Sequence, residues 1–317
     1  MNGLLNVLKP PGMTSHDVVY YVRHLVDGKV GHTGTLDPLA AGVLIVTIGA
    51  ATKLTDYFAG WDKAYRAELI LGLETDTLDL EGTVLRRAED VQLGREQVVR
   101  ALESLTGILE MEPPMFSAVK HDGRRLYELA REGKQVERKL RTVTVTRFDL
   151  LEMWEGEPGS SRSEYPEQGL PRVLCEVECS KGTYVRSLAQ MLGERLGCGA
   201  CLGFLLRTVQ GPHRLQHSHT LEEVQALVRR GELAGALTPM TEALPHMPSV
   251  SVGASEVTKV QHGNRVPAPP ELEPGTMCLV LHEEEAVCLA EVTHRGGSLW
   301  LQPKRVFIPE GRTDREA

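Results

Sequence analysis

Residues 43–49 read VLIVTIG, an aliphatic and β-branched run bounded by Gly42 and closed by Gly49. Such a run makes a strand, and with no alternating polar face the strand is a buried one. A chain that contains it has to build a covered sheet around it. Immediately before it stands KVGHTGTLDPLAAG, a glycine-bearing stretch with one histidine, His32, and one aspartate, Asp37. Asp ahead of Pro38 is a common turn arrangement. The alternative is that the strand is a rigid mount for a reactive carboxylate. That reading needs a cation to keep the carboxylate ionised, an aromatic to hold a planar substrate, and a donor nearby. His32 in the same loop, Tyr65 in KAYRAEL, and Tyr184 with Arg186 in SKGTYVR supply those residue types from three separate strand-to-loop contexts. Spacing alone does not bring them together.

The remaining elements follow from periodicity and punctuation. GLLNVLK (3–9) reads as a short strand ended by Pro10-Pro11-Gly12. Thr14 or Ser15 caps a helix with apolar positions Val18, Val19, Val22, Leu25 and Val26, and Gly28 is its expected stop. Strands are expected over 64–72, 140–153 and at VLCEVEC, and helices over 95–106, in RRLYELAREG, and, after a tight turn at Lys181-Gly182, up to a stop at Gly197. Thr220-Leu-Glu-Glu223 is a capping box opening one more helix. Residues 156–171, GEPGSSRSEYPEQGLP, read as a surface loop. After Pro245 helix signals vanish, and short apolar runs between Gly, Pro and charges over 250–308 suggest a small all-β module beyond a linker near Leu244 to Pro248.

Composition limits the function classes. Net charge is −8, which argues against holding a polyanion by overall charge. Charge is uneven, however: Lys120 to Arg141 holds eight basic residues against four acidic ones, while 152–167 holds five Glu against Arg162. The basic stretch is either a solvated helix face or a local grip on a polyanion. No run approaches 18 apolar residues, so no membrane span is expected, and the N-terminal run is too short for a signal peptide, which makes the cytoplasm the expected compartment. Six cysteines are spread too thinly for a disulfide framework; Cys198-Gly-Ala-Cys201 has redox or metal spacing, but lacks a second pair, and buried structural thiols are preferred. His213, His217 and His219 lack a carboxylate or thiolate partner nearby and read as surface histidines in a linker rather than metal ligands. The phosphate-loop, HExxH, GxSxG and strand-associated GxGxxG signatures are all absent from the sequence.

GHTGTLDPLAAGVL closely resembles the signature of the bacterial tRNA pseudouridine synthase B family. Further stretches resemble that family in the same order: KPPGMTSHD (9–17), KAYRAELILGLETDTLDLEG (63–82), PPMFSAVKHDGRRLYELAREG (113–133), SKGTYVRSLAQMLGERLGCGA (180–200) and FLLRTVQG (204–211). Together they cover most of residues 3–211. Leu206 departs from the family, which often has Arg there, and so does Cys201, where some members have His.

The resemblance implies an isomerase that converts the T-loop uridine, position 55 of tRNA, to pseudouridine, with no cofactor and no metal. It implies an α+β fold with a mixed, mainly antiparallel sheet flanked by helices (1–247), a thumb insertion over about 113–141 that grips RNA, and a PUA-like RNA-binding barrel (248–317). By position, Asp37 matches the catalytic aspartate, Arg186 the arginine paired with it, and Tyr65 the aromatic that stacks on the flipped base. His32 matches the histidine that helps hold the substrate loop open, and Tyr184 and Leu205 match nucleotide contacts. Lys9, Lys120, Arg124, Arg125 and Arg131 are the candidates for contact with the RNA backbone. The expected partner is the T arm of tRNA, and the expected state a monomer. Asp37 attacks C1′ or supports elimination to a glycal, and both routes stay open. A non-catalytic RNA-binding or tRNA-folding protein on the same scaffold is the alternative.

Overall fold

The apolar run lies inside a strand, Ala41–Ile48, in which all eight residues are buried. The computed structural model describes residues 1–117, 119–155, 167 and 169–307; most of the loop expected over 156–171 lies outside these residues. In chain order, β1 (Gly3–Lys9), β2 (Val30–His32), β3 (Ala41–Ile48) and β4 (Lys63–Leu71) enter one large sheet. β5 (Leu73–Thr75) and β6 (Val84–Arg87) pair as a separate hairpin, as do β8 (Lys120–His121) and β9 (Arg124–Arg125) beyond β7 (Gly107–Met111). β10 (Arg141–Trp154), β11 (Arg172–Cys179), β12 (Ala200–Gln210) and β13 (His213–Arg214) complete the large sheet.

Strand order is β1-β3-β12-β4-β11-β10-β7, with β2 on β3 and β13 on β12. Every pairing is antiparallel except β12 on β3. That one parallel pair brings the chain segment after Asp37 beside the FLLRTV strand. At the crossing, Gly42 has φ +111, and a Cβ there would stand 2.2 Å from the Arg207 carbonyl oxygen. Only glycine permits both that conformation and that approach.

Helices cover the sheet. Thr14 caps α1 (Ser15–Arg23) in a capping box with Asp17. α1 ends at Arg23, well before Gly28, because His24 closes it by bonding the Tyr20 carbonyl; Leu25 and Val26 pack from the following turn instead. Thr55–Ala59 (α2) follows β3. α3 (Arg95–Glu103) buries Val98, Ala101 and Leu102 against β4, β10 and β11, beyond which α4 (Leu126–Arg131) rises from the basic segment. α5 (Val185–Leu196) packs Leu188, Ala189 and Leu192 into the same core and ends at Gly197 in the left-handed conformation. α6 (Leu221–Arg230) starts on the Thr220–Glu223 capping box. β3 is therefore enclosed on both faces. Leu44, Val46 and Ile48 meet α1 and α6, while Val43 and Ile45 meet a cluster containing Phe58, Met240, Leu244, Leu279, Leu289 and Phe307.

Those last residues show how the C-terminal part docks. α7 (Met240–Ala243) leads to β14 (Ser249–Ser251), β15 (Val266–Pro267), β16 (Met277–His282), β17 (Glu285–Arg295) and β18 (Ser298–Val306), a curled half-barrel sheet in the order β14-β16-β17-β18-β15. Two expectations need correction here. The module is not all-β, since α8 (Ala254–Gln261) buries Val257 and Val260 against it, starting where the Glu256 carboxylate accepts from the Gly253 N–H at 3.0 Å. Leu244, placed in a linker by its neighbouring prolines, is buried in the core that the two parts share. Replacing Gly42 with alanine is expected to cost at least about 2 kcal/mol in urea denaturation; a loss under about 0.5 kcal/mol would contradict the close β3–β12 approach.

Candidate active site

The loop from Thr33 to Ala40 has little regular structure of its own, so its carbonyls have to be held from outside. Lys9, at the end of β1, donates to the carbonyls of Pro10 (2.9 Å), Pro38 (3.3 Å) and Ala40 (2.6 Å). Gly12 N–H donates to Pro38 as well, at 2.8 Å. The Ser15 hydroxyl donates to the Leu36 carbonyl (3.1 Å) and accepts from the Leu36 N–H (2.8 Å). From β12, Arg207 donates to Gly34, at 3.1 Å, and Gln210 donates to the Thr33 hydroxyl at 2.6 Å. The KPPGMTS stretch is thus a clamp on the aspartate loop. This corrects the expectation for Lys9: its side chain is 0% exposed with its ammonium donors committed to carbonyls, and it cannot reach RNA. Burial pulls that ammonium down to about 8, while the Asp37 carboxylate opposes the shift.

Asp37 and Arg186, far apart in sequence, meet. Arg186 lies one residue into α5, 6% exposed, and its Nε stands 2.9 Å from Asp37 Oδ2. Its Nη1 donates to the Thr77 carbonyl at 3.0 Å and lies 3.6 Å from Asp79 Oδ2, while Nη2 donates to the Phe116 carbonyl at 2.8 Å. Asp79, which the sequence reading passed over inside TDTLDLEG, is itself buried and accepts from the Thr77 hydroxyl at 2.5 Å. Asp37 keeps 38% of its side chain exposed, so the carboxylate is open to the cavity. Burial raises its pKa above the usual carboxylate value, the Arg186 guanidinium pulls it back down, and the Asp79 charge pushes it up again.

Around Asp37 is a cavity of about 280 Å³ lined by Leu36, Tyr65, Tyr184, Arg186, Leu205 and Arg207 among others. Tyr65 comes from β4, Leu205 from the middle of β12 and Tyr184 from the cap of α5, so two strands and a helix start converge on one pocket. Burial pushes both tyrosine hydroxyls up from their ordinary pKa. His32 does not line this cavity; it sits in β2, largely buried with an unpartnered Nδ1, and burial lowers its pKa. Arg207, like Asp79, is a residue that sequence reasoning missed. Its one signal was a charge inside the otherwise apolar FLLRTV strand.

The basic segment is exposed at Arg124, Arg125 and Arg131. Arg125 and Arg131 flank the Tyr127 ring with their guanidinium carbons 5.9 and 5.6 Å from its centroid, and Arg124 pairs with Glu132. Lys120 lies in β8, with its side chain outside the described atoms. His213 is not a surface histidine: it is buried 5.5 Å from the Trp61 ring, and burial pulls it down to about 4. No group of three metal-ligating residues occurs among the described residues. Cys201 is buried and pushed up to about 12, and burial also raises half-buried Cys198, so neither thiol is a ready nucleophile.

Residues 23–185 match the TruB family pseudouridylate synthase N-terminal domain, so the sheet and the aspartate loop are those of a pseudouridylate synthase. The tRNA pseudouridine synthase B of Moorella thermoacetica is 44% identical over 313 residues, covering 96% of this chain and 99% of that one. That of Symbiobacterium thermophilum is 48% identical over 264 residues, 83% of this chain and 82% of its own. A chain in the crystal structure of a Cbf5–Nop10–Gar1 complex superposes with a TM-score of 0.69 at 26% identity, covering 97% of this chain and 85% of that one. The chain belongs to the TruB family, and it is an enzyme that isomerises uridine to pseudouridine.

The raised pKa of Asp37 has a consequence for stability. A carboxyl raised in the folded state favours folding below its unfolded pKa, and that contribution is lost as pH rises through the folded value. Above that folded value the charged Asp37 carboxylate weighs against the fold, and Asp79 remains to balance Arg186 without it. Asp37→Asn is expected to melt no lower than wild type at pH 7, by calorimetry. A drop of several degrees would contradict this electrostatic picture.

Proposed function

We propose that the chain converts the T-loop uridine of tRNA, position 55, to pseudouridine with Asp37 as the carboxylate acting at the sugar–base bond. The observation that carries this reading is the Arg186–Asp37 contact at 2.9 Å on the wall of a cavity that Tyr65, Tyr184 and Leu205 also line. The reaction breaks the bond from N1 of uracil to C1′, turns the base, and joins C5 to C1′; the proton on C5 is released and N1 gains one. Nothing is oxidised and no outside group is transferred. A carboxylate suits the task because positive charge develops at the anomeric carbon, whether Asp37 attacks C1′ or supports elimination to a glycal. Arg186 keeps that carboxylate ionised where burial disfavours charge, and a guanidinium stays protonated at any working pH.

A uridine stacked in a folded loop reaches such a pocket only by flipping out, at a cost of a few kcal/mol. Stacking on Tyr65, worth roughly 1–3 kcal/mol per base, offsets it. His32, beside the Asp37 loop but outside the cavity, is placed for RNA that the base has left rather than for the base itself. Exposed Arg124, Arg125 and Arg131 are suited to phosphates of the T arm in a salt-dependent grip, with the C-terminal half-barrel as a second RNA surface. A tRNA substrate supports a cytoplasmic enzyme.

The test is a T-arm transcript incubated with the protein and mapped for pseudouridine by carbodiimide primer extension. Wild type is expected to modify the T-loop uridine, and Asp37→Ala to lower the rate by at least about a thousandfold. No modification by wild type, or undiminished modification by Asp37→Ala, would sink the reading. Arg186→Met is expected to cut turnover far more than RNA affinity in filter binding; equal losses would count against the pairing.

A further inference from the structure

Strand β12 reads ACLGFLLRTVQ, and its one charge is Arg207. The side chain is 1% exposed, the largest fully buried one among the described residues. Enclosing a guanidinium is costly unless its donors are met, and an apolar side chain of similar size would fill the place without that cost. Among the described residues no carboxylate lies within ion-pair distance of it. Its donors go to neutral oxygens instead, Nε to the Val43 carbonyl at 2.6 Å and Nη2 to the Gly34 carbonyl at 3.1 Å, and the Tyr65 side chain lies beside it on the same cavity wall.

The sheet register explains the reach. Arg207 stands opposite Tyr65 across the β12–β4 ladder and opposite Gly42 across the β12–β3 ladder. Directly opposed residues share a face, so the guanidinium and the phenol meet at the pocket wall, which both line. Gly34 lies in the loop that carries Asp37, and Val43 lies in the strand that loop enters. One planar, rigid fork therefore spans the aspartate loop, its supporting strand and the aromatic ring.

We propose that Arg207 is a positioning residue of the isomerisation: its guanidinium fixes the Tyr65 side chain relative to the Asp37 loop by lying against that side chain on the cavity wall while it holds the Gly34 carbonyl. This rests on the reading of Tyr65 as the residue that stacks on the flipped base. A lysine keeps the charge but lacks the fork, so it cannot hold both carbonyls and stay against the Tyr65 side chain in this geometry.

The experiment is a double-mutant cycle of Arg207→Lys and Tyr65→Phe in the full-length protein, with single-turnover rates on the T-arm transcript, RNA affinity by filter binding, and Asp37→Ala alongside. Arg207→Lys is expected to lower the maximal rate by about tenfold while RNA affinity stays within about twofold. Tyr65→Phe is expected to lower the rate too, and the double variant to be no slower than the slower single one, because both remove the same link. A purely structural arginine would instead give multiplying losses. A wild-type rate for Arg207→Lys, an equal Arg207→Lys loss in the Tyr65→Phe background, or a loss confined to RNA affinity would overturn the proposal. Should Arg207→Lys not fold, Tyr65→Phe carries the test alone, since it leaves Arg207 in place; a wild-type rate there overturns the proposal. Asp37→Ala separates the two levels. An active Asp37→Ala breaks the site reading itself, whereas an inactive one beside a multiplicative cycle removes Arg207 only.

Discussion

The Arg186 guanidinium is the contact on which the site depends. Its donors reach the Asp37 loop, the Thr77–Asp79 turn beyond β5 and the Phe116 carbonyl at the entrance to the basic segment, so three chain segments distant in sequence are set by one side chain. Arg186 in turn is placed by α5, whose apolar face is sunk in the main core. Arg186 lies between two carboxylates, and the like charge of Asp79 is among the causes that raise Asp37. Two further cations, Lys9 and Arg207, act on Asp37 at longer range, and each is already occupied with backbone oxygens.

Rigidity comes from the layers behind the loop. β3 is enclosed by α1 and α6 on one face and by the C-terminal half-barrel's cluster on the other, so the strand entered from the Asp37 loop has no freedom to shift. The clamp from Lys9, Gly12 and Ser15 then fixes the loop to β1 and α1, and the Arg207 fork fixes it to β12. Placing a partly desolvated carboxylate on such a mount costs stability locally, and the surrounding packing offsets it.

Much of this was legible in the sequence because local chemistry decides it. The all-buried β3, the capping boxes at Thr14 and Thr220 and the left-handed stop at Gly197 each follow from a few adjacent residues. Tertiary contacts were not legible that way. Nothing in the spacing joins Asp37 to Arg186; only the resemblance to a known family did. Lys9 reads as a surface cation at a strand end, and its burial depends on a loop that folds over it. His213 reads as exposed in HRLQHSH until Trp61 covers it. α8 is short and contains Val257, Thr258 and Val260, weak helix formers, so its helical state is decided by packing on the curled sheet. Arg207 was overlooked because a charge in an apolar strand marks a site only once the pocket beside it is visible.

Buried Arg186 opposes the upward pull of burial on the Asp37 carboxylate. The most direct measurement is the pH dependence of the single-turnover rate for wild type and Arg186→Met. The acid limb of wild type is expected above the ordinary aspartate value, since burial raises Asp37, and to move further up when the guanidinium is removed. An acid limb that stays in place without Arg186 would contradict the account.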